Sequence, residues 1–312
     1  MRIGIDVGGT NTDSVLMDGT RLIHKFKTPT TEDITGGIQT ALSALLASSE
    51  KGMTVDAVMV GTTHFTNALL QRRDLAVTGI LRLCLPATDM LPPMVDWPEE
   101  LKAAIQGHTY LLEGGLEFDG REISPINESQ IRDVTRRMAS EGVQAVAIIG
   151  VFSSVDPTQE QIAAKIIEQE TPHMRISMSH EIGRVGLLER ENATILNACL
   201  SRVSESAVGA FKLAIEDLGL SSSLFLSQND GTLMDAEFAI KYPVLAISSG
   251  PTNSMRGASF LTGIDDAIVA DIGGTSTDVG ILRNGFPRES SIAVDIGGVR
   301  TNFRMPDVLS IP

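Results

Sequence analysis

Residues 6–13 read DVGGTNTD and residues 271–278 read DIGGTSTD, matching at Asp, Gly, Gly, Thr, Thr and Asp with identical spacing. Each copy follows one apolar run and leads into another: RIGIDVGGTNTDSVLMDG in the first case, AIVADIGGTSTDVGILRNG in the second. The pattern predicts strand, glycine turn, strand. Glycine permits positive φ and close backbone approach, so such a turn aims N–H groups and Thr or Ser hydroxyls at an anion such as phosphate. A single Gly-Gly hairpin is an ordinary tight turn. Two matched copies in one chain predict two related domains that hold one ligand with several charged groups from both sides. A leading Asp repels phosphate unless a divalent cation stands between them, so Asp6 and Asp271 imply Mg²⁺. The pattern lacks the Lys-Ser/Thr ending of a P-loop, and it enters a strand where the dinucleotide fingerprint enters a helix.

Composition bounds the rest. A chain of 312 residues with 42% hydrophobic content is long enough for two cored domains. The formal net charge of −14 leaves no general basic surface and argues against nucleic acid as a partner. Cys84 and Cys199 each sit inside an apolar run, LRLCLP and LNACLS, which predicts buried thiols in a reducing compartment and not a disulfide or metal site. Met1 leads straight into RIGIDVGG, too quickly interrupted by Asp and Gly for a signal sequence, and no apolar run reaches membrane-spanning length; the expectation is a cytoplasmic protein with no membrane association.

Strand and helix patterns alternate along the chain, which predicts an α/β fold. Strand candidates include DAVMVG, LAVTGILRL, VQAVAIIGV, MRISMS, SLFLSQ and YPVLAI, and helical spacing runs from Ile34 to Ser49, Ser129 to Glu141, Thr158 to Glu170 and Leu187 to Leu218. LPATDMLPPMVDWP is the most loop-like stretch, and EGGLEFDGREI beyond it reads as a turn pair, so residues near 86–125 are expected to form an excursion from the first domain.

At this point the sequence resembles a family. The paired turns are similar to the two phosphate loops of the actin, sugar kinase and heat-shock chaperone superfamily, whose two ribonuclease H-like domains close on ATP and Mg²⁺. More specifically, GTTHFTNALLQRR, SHEIGRVGLLERENATILNACL, SQNDGTLM, SSGPTNSMRGA and DIGGTSTDVGIL, in that order, resemble the A subunit of the hydantoinase and 5-oxoprolinase family. The resemblance implies ribonuclease H-like (actin-like ATPase) domains, one over residues 1–175 and a second, incomplete one over 176–312. It also implies ATP-dependent hydrolysis of a cyclic amide of the hydantoin or 5-oxoproline type. The A-type part phosphorylates the amide oxygen and a separate B-type subunit completes hydrolysis; a homo-oligomer is compatible with this. Related carboxylases activate ketones in the same way. A small-molecule kinase of the superfamily, or a regulatory or inactive nucleotide-binding protein, would share both loops. Family members continue into a glycine-rich adenosine-binding segment, whereas this sequence stops at DVLSIP, which puts activity of the chain by itself in doubt.

The site candidates follow. Gly8, Gly9, Thr10, Asn11 and Thr12 are expected to form one phosphate cradle, and Gly273, Gly274, Thr275, Ser276 and Thr277 the other, with Asp6 and Asp271 on the metal. Asp13 and Asp278 are read as bonding locally within their hairpins. Thr62, Thr63 and His64 fall at a strand end before a helix, suited to ligand contact or to capping by Thr63. Glu189 and Arg190, with Glu191, bring charge into an apolar helix, so they face an active cleft or pair internally. Asn229 reads as a plain turn residue or a substrate contact, and Gly250 as a nucleotide approach or a strand-to-helix turn. A third near-copy, DIGGVRTN from Asp295, departs from the pattern at Arg300 and Phe303 and is read as a structural hairpin.

Overall fold

The computed structural model describes residues 1–30, 34–47, 54–273, 277–291 and 293–311. Along the chain run β1 (Arg2–Val7), β2 (Asn11–Asp18), β3 (Arg21–Pro29), α1 (Ile34–Ala47), β4 (Ala57–Thr62), α2 (His64–Gln71), β5 (Thr78–Leu85), α3 (Glu99–Ile105) and β6 (His108–Glu113). There follow α4 (Glu128–Ser140), β7 (Ala145–Gly150), α5 (Thr158–Glu170), β8 (Arg175–Met178), α6 (Ser179–Ile182), α7 (Leu187–Cys199), α8 (Ser201–Asp217), β9 (Ser223–Ser227), β10 (Leu233–Asp235) and α9 (Ala236–Lys241). A 3₁₀ turn (Pro243–Ala246), α10 (Ser249–Thr262), β11 (Ala267–Ile272), β12 (Thr277–Arg283), β13 (Phe286–Pro287), β14 (Val294–Ile296), β15 (Val299–Thr301) and β16 (Val308–Ile311) complete the order. The fold is α/β. Among the described residues no helix is long and apolar enough to cross a membrane.

Two compact units share the chain. One comprises Met1–Asn67, Ser204–Ser291 and Arg304–Pro312; the other comprises Ala68–Val203 and Ile292–Phe303. They interleave, so each compact unit draws on both of the segments, 1–175 and 176–312, expected from the sequence. The reason is a non-local pairing. In the first unit the sheet order is β10-β9-β4-β1-β2-β3, with β1, β2 and β3 an antiparallel meander and β1, β4 and β9 parallel. This is the ribonuclease H-like arrangement, but its fifth strand, β9, arrives only after the whole of Ala68–Val203 has been inserted. The alternation of β1 buries Ile3, Ile5 and Val7, and α1 lays Ile38, Leu42 and Leu45 over β2 and β3. The same unit holds β11, β12 and β13, with β16 also on β12, a partial second sheet that repeats the opening hairpin.

The second unit is built on the parallel sheet β6-β5-β7-β8. All six residues of β7, AVAIIG, are buried, as expected for a parallel strand covered on both faces. Leu81, Leu83, Val146, Ile148, Ile131, Met138, Ile166 and Ile167 form its core. The stretch expected as an excursion near 86–125 supplies α3 and the edge strand β6, which pairs with β5 from Gly79↔His108 onward. EGGLEFDGREI is the turn pair the glycines announce, closed by Glu117 N–H donating to Arg121 O at 2.7 Å. YPVLAI, expected as a strand, is the 3₁₀ turn opened by Pro243; a short apolar run does not by itself separate the two states. The long helix expected from Leu187 to Leu218 is two, α7 and α8, divided at Leu200.

Candidate functional site

Both eight-residue repeats lie in the first unit and pair in the same register: Asp6↔Asp13 and Val7↔Thr12 in one, Asp271↔Asp278 and Ile272↔Thr277 in the other. The first turn therefore spans residues 8–11. Gly8 N–H is consumed inside it, donating to Asn11 O at 3.0 Å, and neither Gly8 nor Gly9 has positive φ. This corrects the expectation that all the glycine N–H groups face a ligand and that positive φ is what the pair provides. What glycine provides at position 9 is room, since a Cβ there would meet nothing within 4 Å. Gly9 and Thr10 are exposed and their N–H groups donate to nothing among the described residues. Thr12 is buried, its hydroxyl 3.2 Å from that of Thr30. Thr30 was not singled out in the sequence, yet it braces the loop from outside, donating its hydroxyl to Gly8 O at 2.9 Å and its N–H to Thr10 O at 2.9 Å. In the second repeat, Gly274, Thr275 and Ser276 lie outside the described residues; Gly273 is exposed and Thr277 opens β12.

Asp6 and Asp271 end β1 and β11. Asp6 touches solvent, but the protein packed around it, followed by the charges of Asp13 and Asp271, pushes its carboxyl above the usual value of 3.8. Asp271 thus adds to the negative field at Asp6. Asp13 is held by Lys27 Nζ on β3 at 3.2 Å, and Asp278 accepts from the Ser310 hydroxyl on β16, so both bond side chains of neighbouring strands and not, as expected, groups within their own hairpins. Asp271 accepts from Ser254 Oγ at 2.6 Å. Among the described residues no three His, Cys, Asp or Glu side chains form a metal cluster. A pair of carboxylates instead suits Mg²⁺, which keeps waters and completes its shell with phosphate oxygens.

The GTTHFTN segment joins this site through β4. Thr62, and not Thr63, caps α2: its hydroxyl accepts from His64 N–H at 3.1 Å. Thr63 ties back to β1, donating its N–H to Val7 O at 3.2 Å. His64 is half-buried at the helix entry. Gly250 sits in the first turn of α10 with no atom within 4 Å of where its Cβ would be. That helix packs on β4, β11, β12 and β13. Asn229 is fully buried, with its Nδ2 donating to Arg304 O at 2.9 Å. Its amide nitrogen pins one segment of the unit to another, while its Oδ1 is buried with no partner among the described residues.

Glu189 and Arg190 belong to the second unit, and their charges are spent there. Arg190 is buried, donating from Nη2 to Gly150 O at 2.7 Å and from Nε to Ser179 Oγ at 3.0 Å. Glu189 pairs with Arg300 at 3.4 Å. Glu191 takes both arms of the fully buried Arg82 fork at 2.6 Å each. For Arg190 and Glu191 the structure shows internal pairing, because a charge this deep requires a partner, whereas Glu189 is part-buried and its partner Arg300 is exposed. Beside Arg190, Glu160 is also buried; burial opposes its charge, but hydrogen bonds from His180, Ser179 and Ser153 hold its carboxyl below the usual range. Glu160 opens a helix that reads as a surface helix in sequence, so nothing local announced that network.

Comparison with known proteins closes the description. Residues 2–171 match the hydantoinase/oxoprolinase N-terminal region, and residues 190–311 match the hydantoinase/oxoprolinase domain. The chain is 29% identical to the caprolactamase subunit alpha of Pseudomonas jessenii over 91% of its own length and 44% of that protein's. It is 26% identical to the acetophenone carboxylase gamma subunit of Aromatoleum aromaticum over 99% of its own length and 46% of that protein's. The crystal structure of the ATP-dependent caprolactamase from Pseudomonas jessenii superposes with a TM-score of 0.80 at 27% identity, covering all of this chain and 48% of that one. The chain thus spans about half the length of these relatives.

Proposed function

The chain belongs to the hydantoinase/oxoprolinase family, and from that premise we propose that it binds ATP in its first unit and phosphorylates the carbonyl oxygen of a cyclic amide, acting with a B-type subunit that completes hydrolysis. The observation that carries this reading is geometric: one turn of α10 reaches both repeated aspartates, Asn253 packing with Asp6 around Gly61 and Ser254 bonding Asp271, beside an open, braced glycine loop. The caprolactamase of known structure is ATP-dependent by name, which points the same way.

A lactam carbonyl is a poor electrophile. Forming a bond from its oxygen to the γ-phosphorus while the bond to the ADP oxygen breaks, with loss of the N–H proton, turns the amide into an imidate phosphate that water attacks readily. The transfer depends on positioning and charge stabilisation more than on covalent help from the protein. The exposed N–H groups of Gly9 and Thr10 are placed to donate to phosphate oxygens. Thr30 fixes the loop that presents them, so little ordering is left to occur on binding. Asp6 and Asp271 would hold Mg²⁺, which when bound supplies the positive charge between carboxylates and phosphate oxygens.

The test is calorimetric titration of the 312-residue chain with ATP at fixed Mg²⁺ and in EDTA, followed by phosphate release with hydantoin, 5-oxoproline or caprolactam, with and without a B-type subunit. Mg²⁺-dependent binding, and phosphate release stimulated by one of the amides, is the expected outcome. Absence of ATP binding at millimolar concentration with Mg²⁺ present refutes it.

A further inference from the structure

Gly61, the last residue but one of β4, is crowded by polar atoms. A Cβ added to it would stand 2.6 Å from Asn253 Nδ2, 2.9 Å from Asp6 Oδ1 and 3.6 Å from Ser227 Oγ. An amide, a carboxylate and a hydroxyl therefore converge on the space that only glycine leaves open at this position. Asn253 and Ser254 are neighbours on α10, and they serve different repeats. Ser254 Oγ donates to Asp271 Oδ2 at 2.6 Å, while Asn253 is placed beside Asp6. One turn of helix thus reaches both of the aspartates that the sequence repeats.

The two neighbours differ in what they have left to offer. Ser254 is engaged. The side-chain amide of Asn253 makes no hydrogen bond among the described residues, although it and the Asp6 carboxylate crowd the same space at Gly61. A neutral amide there can donate to an anionic oxygen without competing with a cation for the carboxylates. Space is also left along the same helix face. Gly250 and Gly257, three residues before Asn253 and four after it, each have nothing within 4 Å of a built Cβ, and those spacings put all three on one side of α10.

Resting on the nucleotide reading above, we propose that Asn253 is a contact residue for the terminal phosphoryl group of a nucleoside triphosphate, donating from Nδ2 to one of its oxygens, and that Gly61 is the gap that seats it next to Asp6. The contact is made to the group that ATP has and ADP lacks. Asn253 therefore discriminates between the two nucleotides, which a residue of purely structural importance does not.

The experiment is calorimetric titration of the full chain and its variants with Mg·ATP and with Mg·ADP, alongside thermal melts. Asn253→Ala is expected to weaken Mg·ATP about tenfold, the worth of one hydrogen bond to a charged group, with Mg·ADP affinity and Tm unchanged. Asn253→Asp places a negative charge against the phosphoryl group and is expected to weaken Mg·ATP further. Gly61→Ala, whose Cβ crowds both Asn253 and Asp6, is expected to weaken Mg·ATP and, through Asp6, Mg·ADP as well. Variants at Asn253 that bind Mg·ATP as the parent does overturn the proposal while leaving the nucleotide site intact. Equal losses for both nucleotides together with a lowered Tm assign Asn253 a packing role and overturn it as well. A parent chain that binds neither nucleotide defeats the underlying reading and the inference with it.

Discussion

Hairpins β1–β2 and β11–β12 share eight residues of pattern and one pairing register, but they occupy different surroundings. On β1, Ile3 and Val7 are 0% and 7% exposed, whereas the residues in the same places on β11, Ile268 and Ile272, are 74% and 79% exposed. The first hairpin has β4 along its outer edge and α1 over one face. The second has α10 packed against it and, among the described residues, no strand beside β11 other than β12. Local sequence is enough to set a turn and its pairing. Burial is set by strands and helices from elsewhere in the chain.

The sharpest way to break this comparison is to shorten one isoleucine on the leading strand of each hairpin. Ile5→Ala is expected to cost about 2–4 kcal/mol, a buried residue losing its packing, while Ile272→Ala is expected to change stability by less than about 0.5 kcal/mol. Urea melts of both variants decide it, and a costly Ile272→Ala would mean that the outer face of β11 is covered in solution.

The next effect separates the kinds of glycine turn. In β14–β15 the pair Gly297-Gly298 has φ of +60° and +86°, and a Cβ on Gly298 would fall 2.7 Å from Pro98 Cγ. Gly298→Ala is therefore expected to cost about 1–3 kcal/mol. Gly9→Ala, free of both constraints, is expected to be silent in a melt to within about 0.5 kcal/mol and to show its effect in nucleotide titration.

The smallest effect is at Asp6. Because burial and then Asp13 and Asp271 raise its pKa in the folded state, the folded chain holds that proton more tightly than the unfolded chain does. The ligand-free protein thus gains stability as pH falls through the raised value toward 3.8 and is penalised above it. Asp6→Asn removes the penalty. It is expected to raise Tm at pH 7 only slightly, since Asp6 is exposed and solvent screens its charge, with the gain vanishing below the ordinary carboxylate value, while Mg²⁺-dependent nucleotide binding is lost. A Tm lowered at pH 7 would show that the charge is compensated in the folded chain.

The elements that were legible are those whose periodicity is local: RIGIDV, DSVLMD and AVAIIG carry their own burial pattern, and Thr158–Glu170 reads as a helix with its observed ends, whereas the edge strand HTYLLE and the helix Ser249–Thr262 were not read. The division into units was not legible, since nothing in SLFLS says that it will pair with AVMVG. Site residues split the same way. Asp6 and Asp271 announce themselves by repetition. Arg190 and Glu191 looked available for a ligand because their partners, Ser179, Gly150 and Arg82, are brought to them by folding. Gly61, Asn253 and Ser254 lay inside quoted stretches, but their meaning depends on α10 crossing the ends of β4 and β11, which no spacing reveals.

The insertion between β4 and β9 also has a consequence in time. A ribosome delivering about 5–20 residues per second exposes the bare edge of β4 for roughly 10–30 s before Ser223–Ser227 emerges to pair with it. The parallel sheet of the inserted unit is assembled from strands closer in sequence, and it can form within that interval. Once it has, the long connection behaves as a folded body with its two ends fixed, and the loop-closure entropy of joining β9 to β4 is already largely met. Translation speed through codons 68–203, and the promptness with which that segment folds, therefore govern how long the nascent chain carries an open sheet edge for chaperones to shield.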